Sequence, residues 1–589
     1  GALGDGTLTI NGGVLNNTSG SAIVNANNNT QAWNGDFTFT GTNNLDLGTG
    51  AVTLGGTRQV TVNGGDLTVG GVISGSGFQL RKAGNSGSLT LTGASTYTGN
   101  TLISAGRLYL NHTADSNPAI LGNVSLSSSS NTARPYLYLL ADNQLESTAL
   151  ISASISGGNT TFTDFVLGGR SQTIAGYSAT GAVGTGTNFI ENRPFGDAGG
   201  GNGVLTINNS STVTLGGGTG SNRVNIRDGG SGTLALVKDG AGTLVFNLNS
   251  ADYSGGFTLK NGLVQVAGTA FATNTPLKFE GGTLSSGDTT ARSFGSGNTV
   301  SFDGNVTLGD ATNNGKLTFA GAGTLTGNRE LTVASAVEFG GVIGQDVAGR
   351  TLTKSGSATL TLTGANTYTG ATTINTGTLA LGTGGSISAS TTIDIKGSAN
   401  LDVSALAGWA LANGQTLKGN GTVDAGGTGN TVTISSGAFL APGASPGTLL
   451  VNGDLSLASG STFDAEVQTS GSPTGDLVNV NGDLDIISGA LLNLGLYNTD
   501  AALANGTKFS LFSYSGAWNA GTFTGYSDDS DFVLGLNQFR INYDDLSGGV
   551  NGGAYSNYVT LTVVPEPRAA LLGTLGLLAL LRRRRPQAR

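Results

Sequence analysis

Leu360–Leu381 reads LTLTGANTYTGATTINTGTLAL, and Leu89–Leu110 reads LTLTGASTYTGNTLISAGRLYL; the two agree at about 15 of 22 positions. Agreement at that level marks an internal repeat. A third, more diverged copy is Leu244–Val266, LVFNLNSADYSGGFTLKNGLVQV, with Tyr253-Ser254-Gly255 where the others carry Tyr97-Thr98-Gly99 and Tyr368-Thr369-Gly370. A lysine lies a few positions upstream of each copy, Lys82, Lys238 or Lys354, in a Gly/Ser-rich approach.

Inside one copy the apolar residues alternate with polar ones and glycines interrupt the alternation. Leu360/Leu362, Thr372/Ile374 and Leu379/Leu381 each place two side chains on one face of a short strand, while Gly364, Gly370 and Gly377 stand where corners are needed. The texture continues outside the copies. Between Asp36 and Gly71 the inward pairs are Phe37/Phe39, Leu45/Leu47, Val52/Leu54, Val60/Val62 and Leu67/Val69, each starting seven or eight residues after the last. Three such strands make a coil of roughly 22 to 23 residues, within the range of solenoid repeats. Some two dozen coils at about 4.8 Å per strand would reach on the order of 100 Å.

The repeated string resembles the autotransporter-associated β-strand repeat, with its Leu-Thr-Leu-Thr-Gly, Asn-Thr-Tyr-Thr-Gly, Thr-Thr-Ile and Gly-Thr-Leu elements, found in large secreted and surface proteins of Gram-negative bacteria. The likeness is close in two copies and loose in the third. It implies an all-β fold, a right-handed parallel β-helix, and export from the cell without catalytic activity.

Composition agrees with a turn-rich solenoid. Glycine supplies 101 of 589 residues and charged residues only 11%, against roughly 7% and a quarter in ordinary domains. Aromatics are 6%, so the core is expected to be built from Leu, Val, Ile and Ala. With no cysteine, neither disulfides nor thiolate chemistry is open to the chain. The start, GALGDGTLTI, has no basic or apolar leader and no Met, the pattern of a trimmed or mature chain, so a missing signal peptide does not argue for the cytosol. Six arginines from Arg568 onward oppose only Glu566, so the net charge of −9 conceals a body near −14. An acidic body is a poor nucleic-acid binder.

Asn clusters such as Asn16-Asn17, Asn27-Asn28-Asn29, Asn43-Asn44 and Asn313-Asn314 read as corners, with side-chain ladders between coils as a further expectation. Between His112 and about Val224 the pattern loosens. Arg134-Pro135-Tyr136-Leu137-Tyr138 still alternates, but SSSSNTA and FIENRPFGDAGGGNG are long polar interruptions. A recognition site is expected there rather than on the regular strands. The expected division is 1–437 for the repeat-bearing β-helix, 438–563 for final coils and a cap, and 564–589 for a separate tail. The Pro442/Pro446 corner opens the second region, and Phe509, Phe512, Tyr514, Trp518 and Phe523 are expected to cover its open end.

The tail runs Val564-Pro565-Glu566-Pro567, an apolar stretch Ala569–Leu581, then Arg582, Arg583, Arg584 and Arg585. Motif, apolar segment and basic cluster in that order resemble the PEP-CTERM sorting signal. The resemblance implies an exosortase-type partner, a short C-terminal hydrophobic helix and transient inner-membrane association before processing. Thirteen residues of helix cover only about 20 Å of a roughly 30 Å hydrocarbon core, so the run alone is a weak anchor.

The chemistry-bearing residues are few. His112, the sole histidine, reads as a solvated turn residue. No G-x-S-x-G run is followed by a suitable Asp and His. Gly216-Gly217-Gly218 and Gly199-Gly200-Gly201 read as turns. Asp528, Asp529, Asp531, Asp544 and Asp545 read as solvated loop carboxylates against a catalytic or calcium-binding group. Tyr97, Tyr253 and Tyr368 read as packed over turns rather than as a sugar-stacking stripe. No catalytic, cofactor-binding or metal-ligating residue is assigned, calcium being the one ion to weigh. The expected function is that of a non-catalytic exported surface or matrix protein engaged in adhesion or bound to exopolysaccharide. The alternative is a β-helical polysaccharide lyase or glycoside hydrolase, with Asp528, Asp531 and Arg540 converging in a cleft.

Overall fold

The structure is a computed structural model and describes residues 4–565 apart from 131, 157–160, 182–185, 195–199, 217–222, 231, 249, 269–270 and 444. Among the described residues every regular element is a β-strand and none is a helix. The C-terminal helix expected at 569–581 lies outside them. The chain divides into two compact units, Gly1–Gly323 and Thr324–Arg589.

In the first unit strands pair in parallel with strands of the neighbouring coils. Leu67 sits beside Leu89, Leu89 beside Leu108, and Leu108 beside Leu137, so identical faces stack into continuous apolar columns. One sheet collects ten strands in this way, from Ile23–Val24 through Gly106–Leu110, Pro135–Leu139, Phe162–Val166, Thr187–Glu191 and Arg223–Arg227 to Ser250–Asp252. The inward pairs read from Asp36–Gly71 are buried, with one exception: Leu45 is only half-buried. Coil length varies. The step is 23 residues from Phe37 to Val60, 19 from Leu89 to Leu108, 28 from Leu137 to Phe165 and 36 from Asn188 to Val224.

The core is less uniformly aliphatic than composition suggests. Phe246, Phe257, Phe271, Phe294 and Phe319 form a chain of ring contacts with centroids 4.8–5.6 Å apart. The few aromatics are concentrated where parallel stacking gives each ring a ring for a neighbour. Of the Asn corners, Asn28 takes a left-handed backbone (φ 49°), whereas Asn17 and Asn44 bind neighbouring coils: Asn17 Nδ2 donates to the carbonyl of Asn44, and Asn44 Oδ1 accepts from the amide of Asp66.

The second unit repeats the parallel logic, Leu360 beside Leu379 and Leu379 beside Leu401, then widens to steps of 29 residues from Val451 to Val480 and Leu455 to Leu484. A side-chain ladder runs along it: Asn452 Nδ2 donates to Asp424 Oδ1, Asn481 Nδ2 to Asn452 Oδ1, and Ser515 Oγ to Asn481 Oδ1. Parallel stacking ends at Lys508–Tyr514, which pairs antiparallel with Asn557–Val563; that strand pairs with Asn537–Asp545, and Asn537–Asp545 with the short edge strand Asp531–Leu534. Phe509, Phe512, Tyr514 and Phe523 are buried there, and Trp518 stacks on Tyr543 at 5.5 Å. The Tyr543 hydroxyl donates to the carbonyl of Tyr526 and accepts from the amide of Phe523.

Candidate functional site

The three repeat lysines are not surface charges. Lys82, Lys238 and Lys354 are fully buried, each at a core-facing position whose partners one coil away are aliphatic: Val60 and Ile103, Ile207 and Leu259, Leu331 and Ile374. Each ammonium donates to three backbone carbonyls. Lys82 reaches those of Ala83, Gly84 and Ala105 at 2.9, 2.9 and 3.1 Å; Lys238 those of Asp239, Gly240 and Asn261 at 2.9, 2.6 and 3.1 Å; Lys354 those of Ser355, Gly356 and Thr376 at 3.2, 2.7 and 3.1 Å. Two acceptors belong to the lysine's own coil and the third to the next, so the amine clasps two coils together. Gly84, Gly240 and Gly356 turn the carbonyl inward with φ of 82–86°, a conformation that favours glycine. A Cβ at Gly106 would lie 2.3 Å from the Gly84 oxygen and 2.9 Å from the Lys82 Nζ, so the corner above the clasp must be glycine as well.

Burial pulls Lys82 down to about 7, with Arg107 adding to the depression, and pulls Lys238 and Lys354 down to about 8. The carbonyl ring acts in the opposite sense, because only the ammonium has three hydrogens to give. The tyrosines belong to the same device. Tyr97 and Tyr368 are buried, with hydroxyls 2.5 and 2.8 Å from Thr101 and Thr372, the residues four positions on. Tyr253 is equally buried, but Phe257 stands at the fourth position and the Tyr253 hydroxyl has no hydrogen-bond partner. Fully covered rings cannot form a sugar-stacking stripe.

Outward-facing chemistry gathers instead on the ten-stranded sheet of the first unit, within the loosened stretch. Tyr109 stands beside Tyr138, Tyr138 beside Val166, Val166 beside Glu191, and Glu191 beside Arg227; on the neighbouring column Arg107 stands beside Tyr136, Tyr136 beside Asp164, and Asp164 beside Phe189. Alternation with the inward Leu137, Phe165, Ile190 and Ile226 places these residues on the other face. Three guanidiniums surround Tyr136: Arg107, Arg134 and Arg193 lie 5.6–5.7 Å from its ring centroid. Arg134 also lies 4.6 Å from Phe162 and Arg227 4.0 Å from Phe189, while Phe162 and Phe189 stack at 5.7 Å.

The acids under this face divide the arginines into two kinds. Glu191, wholly buried, takes Arg227 through Nη2 at 2.6 Å and Nε at 2.7 Å, and has Arg193 Nε 3.1 Å from its other oxygen, a contact of charge rather than an aligned hydrogen bond. Asp164 is buried 4.0 Å from Arg193, with one oxygen lacking a hydrogen-bond partner. Burial and the Glu191 charge lift Asp164 to about 7 against the pull of Arg193, Arg134 and Arg227. Arg107 and Arg134 are exposed, and no carboxylate among the described residues lies within ion-pair distance of either. Beside the inner pair opens a cavity of about 460 Å³ lined by Glu191, Arg193, Arg227, Asp228, Gly229, Gly230 and Asp252. Asn192 holds the adjoining loop, accepting from the amide of Gly169 and donating to the carbonyls of Gly201 and Thr233.

The remaining candidates resolve as local structure. His112 is buried, not solvated: Nε2 lies 2.8 Å from Asp115 and Nδ1 3.0 Å from the carbonyl of Thr92. Burial opposes its charge, but the Asp115 and Thr92 hydrogen bonds prevail and hold it above its ordinary value. The sequence signal was Asp115 three residues on, a spacing a turn closes. Asp531 pairs with Arg540 across the edge hairpin at 2.8 Å, Asp528 accepts from the amide of Tyr543, and Asp529 from Asn542. Asp545 is no solvated loop carboxylate, for it accepts from Lys508 at 2.5 Å and from Thr560 at 2.8 Å; Asp544 is exposed. The second unit has an acidic cavity of about 390 Å³ at the proline corner, lined by Lys418, Asp464, Glu466 and Asp476 among others. There Asp476 already accepts from the amides of Gly447 and Glu466. Of the tail, Val564 and Pro565 are described and Val564 N donates to the carbonyl of Gln538; Glu566, Pro567 and Arg582–Arg585 lie outside the described residues.

Residues 80–110, 236–266 and 352–381 match the passenger-associated-transport-repeat family, and each matched segment starts two residues before a clasp lysine. No curated protein matches the chain. Among solved structures, the crystal structure of the Haemophilus influenzae Hap adhesin aligns over 91% of this chain at 14% identity and a TM-score of 0.35. The chain spans 64% of that structure's length.

Proposed function

We infer that the chain is an exported, surface-exposed, adhesin-like protein whose solenoid coils are a scaffold and whose contact face is the arginine and aromatic cluster around Tyr136. The observation that supports this reading best is the threefold match to a passenger-associated transport repeat, with the same lysine and carbonyl clasp at each copy. A right-handed winding goes with that repeat. The Val564–Arg585 tail acts as a PEP-CTERM signal read by an exosortase-type enzyme, with transient inner-membrane association before the tail is removed. The mature protein then resides at the cell surface or in an extracellular matrix associated with exopolysaccharide. Protease added to intact cells should degrade the chain, and the mass of the exported form should lack the arginine tail. A chain found only in the cytoplasmic fraction overturns the surface reading; an intact tail on exported protein overturns the sorting reading alone.

A second reading, a polysaccharide lyase, has one observation in its favour: Asp164, buried 4.0 Å from Arg193, is lifted to about 7 and has an unpartnered oxygen, as a proton-accepting group would. It predicts that a uronate polymer incubated with the protein gains unsaturated ends, and that Asp164→Asn abolishes the gain. Calcium ordering is tested separately by melting with and without chelator. Among the described residues no three His, Asp or Glu side chains come together in a way that could hold a metal.

A further inference from the structure

We propose that Arg107 and Arg134, set around Tyr136, bind carboxylate groups of an acidic polysaccharide chain running along the coil axis. The proposal rests on the contact-face reading above and names the ligand class of that face.

Three features carry it. First, the face holds two kinds of arginine. Arg193 and Arg227 converge on the buried Glu191, whereas Arg107 and Arg134 are exposed and have no carboxylate within ion-pair distance among the described residues. Among the described residues exposed cations without a carboxylate also occur at Arg81 and Arg170, but Arg107 and Arg134 stand together against one aromatic ring, whereas elsewhere Lys278 bridges Glu280 and Asp303, Lys396 meets Asp394, Arg350 meets Asp346 and Arg540 meets Asp531. Second, the two are positioned before any ligand arrives. The Tyr136 ring lies 5.7 Å from Arg107 and 5.6 Å from Arg134, and Phe162 lies 4.6 Å from Arg134. Ring contacts hold each guanidinium plane without using its N–H groups, which lowers the ordering cost of binding. Third, spacing selects a polymer. Arg107 lies on Gly106–Leu110 and Arg134 directly precedes Pro135–Leu139, neighbouring strands of one sheet; Arg107 is in register with Tyr136, so Arg134 is its diagonal neighbour, two residues off register and about 8 Å away. A chain with one carboxylate per sugar can present an anion to each arginine across that distance, which a single carboxylate cannot. The planar fork of arginine matches a planar carboxylate with two parallel hydrogen bonds.

The test uses the purified full chain and calorimetric titration with polygalacturonate oligomers, a neutral dextran and a heparin-class sulfated glycan. Polygalacturonate is expected to bind with an affinity that falls as salt is added, dextran not at all, and the sulfated glycan more weakly. Arg107→Gln combined with Arg134→Gln should weaken polygalacturonate binding at least about tenfold, some 1.4 kcal/mol, with an unchanged melting temperature because both side chains are exposed. Arg540→Gln, far along the sequence on the edge hairpin, should change nothing. Equal binding of dextran, tighter binding of the sulfated glycan, or full affinity in the double variant overturns the proposal. Surface exposure on intact cells without polyuronate binding overturns the ligand assignment and leaves the surface reading standing. Polyuronate binding by a chain found only in the cytoplasm supports the assignment and removes the surface reading.

Discussion

The repeat segment 352–381 and the looser stretch 112–227 solve the same packing problem in opposite ways. In the repeat, coils advance by 19–20 residues, corners are tight, and the polar chemistry points inward: an ammonium among carbonyls, a phenol against a threonine. In the loose stretch the step grows to as many as 36 residues, and the longer outline lets arginines, aromatics and carboxylates assemble on the outer face. Regular coils can be copied because everything specific is hidden inside them. Departures from regularity are where a surface can differ from its neighbours.

Removing a clasp should have the largest effect. Lys354→Met keeps the stem but leaves three buried carbonyls unmatched, and by analogy with breaking a buried ionic contact should cost about 3–5 kcal/mol. Because solenoid coils open locally, the loss should show as faster amide exchange confined to 352–381 and the strands stacked on it. On the outer face, Glu191→Ala leaves Arg193 and Arg227 without their shared anion and should cost about 2–4 kcal/mol. Its exchange signature should fall on 187–227 and leave 352–381 untouched.

The copies of the repeat also differ from one another. Tyr253→Phe removes a buried hydroxyl that has no partner and should stabilise the worn copy by about 1 kcal/mol, whereas Tyr368→Phe discards a made hydrogen bond and should destabilise by about 1 kcal/mol. Equal signs in the two variants, read by urea denaturation, would show that the threonine contact does not matter. A further effect is one of pH. Lys82 titrates near 7 in the folded chain and near 10.5 when unfolded, so between those values the unfolded chain binds the extra proton and stability rises with pH. Lys82→Met should flatten that rise in denaturation curves recorded at pH 7 and 9.5.

Strand alternation was legible in the sequence because one rule, two residues per period, governs both the pattern and the pleat. Phe37/Phe39 through Leu67/Val69, Leu45 apart, could be named as core from spacing alone. The lysines could be seen but not understood: a Lys two residues before a Gly looks like any solvated corner until the corner carbonyls are known to turn inward. His112 misled because its partner, Asp115, depends on a turn that strand periodicity does not encode. The outer face was legible only as a place. SSSSNTA and FIENRPFGDAGGGNG marked the interruptions, but register between strands up to 36 residues apart decides that Arg107 meets Tyr136 and that Arg227 meets Glu191.

Lys82, Lys238 and Lys354 have their amines sealed inside the corners they hold. Trypsin and acylating reagents act on lysines they can reach, so a folded chain should give up its surface amines first and these three last. Their labelling would then keep time for the opening of individual coils, one residue reporting on each copy of the repeat.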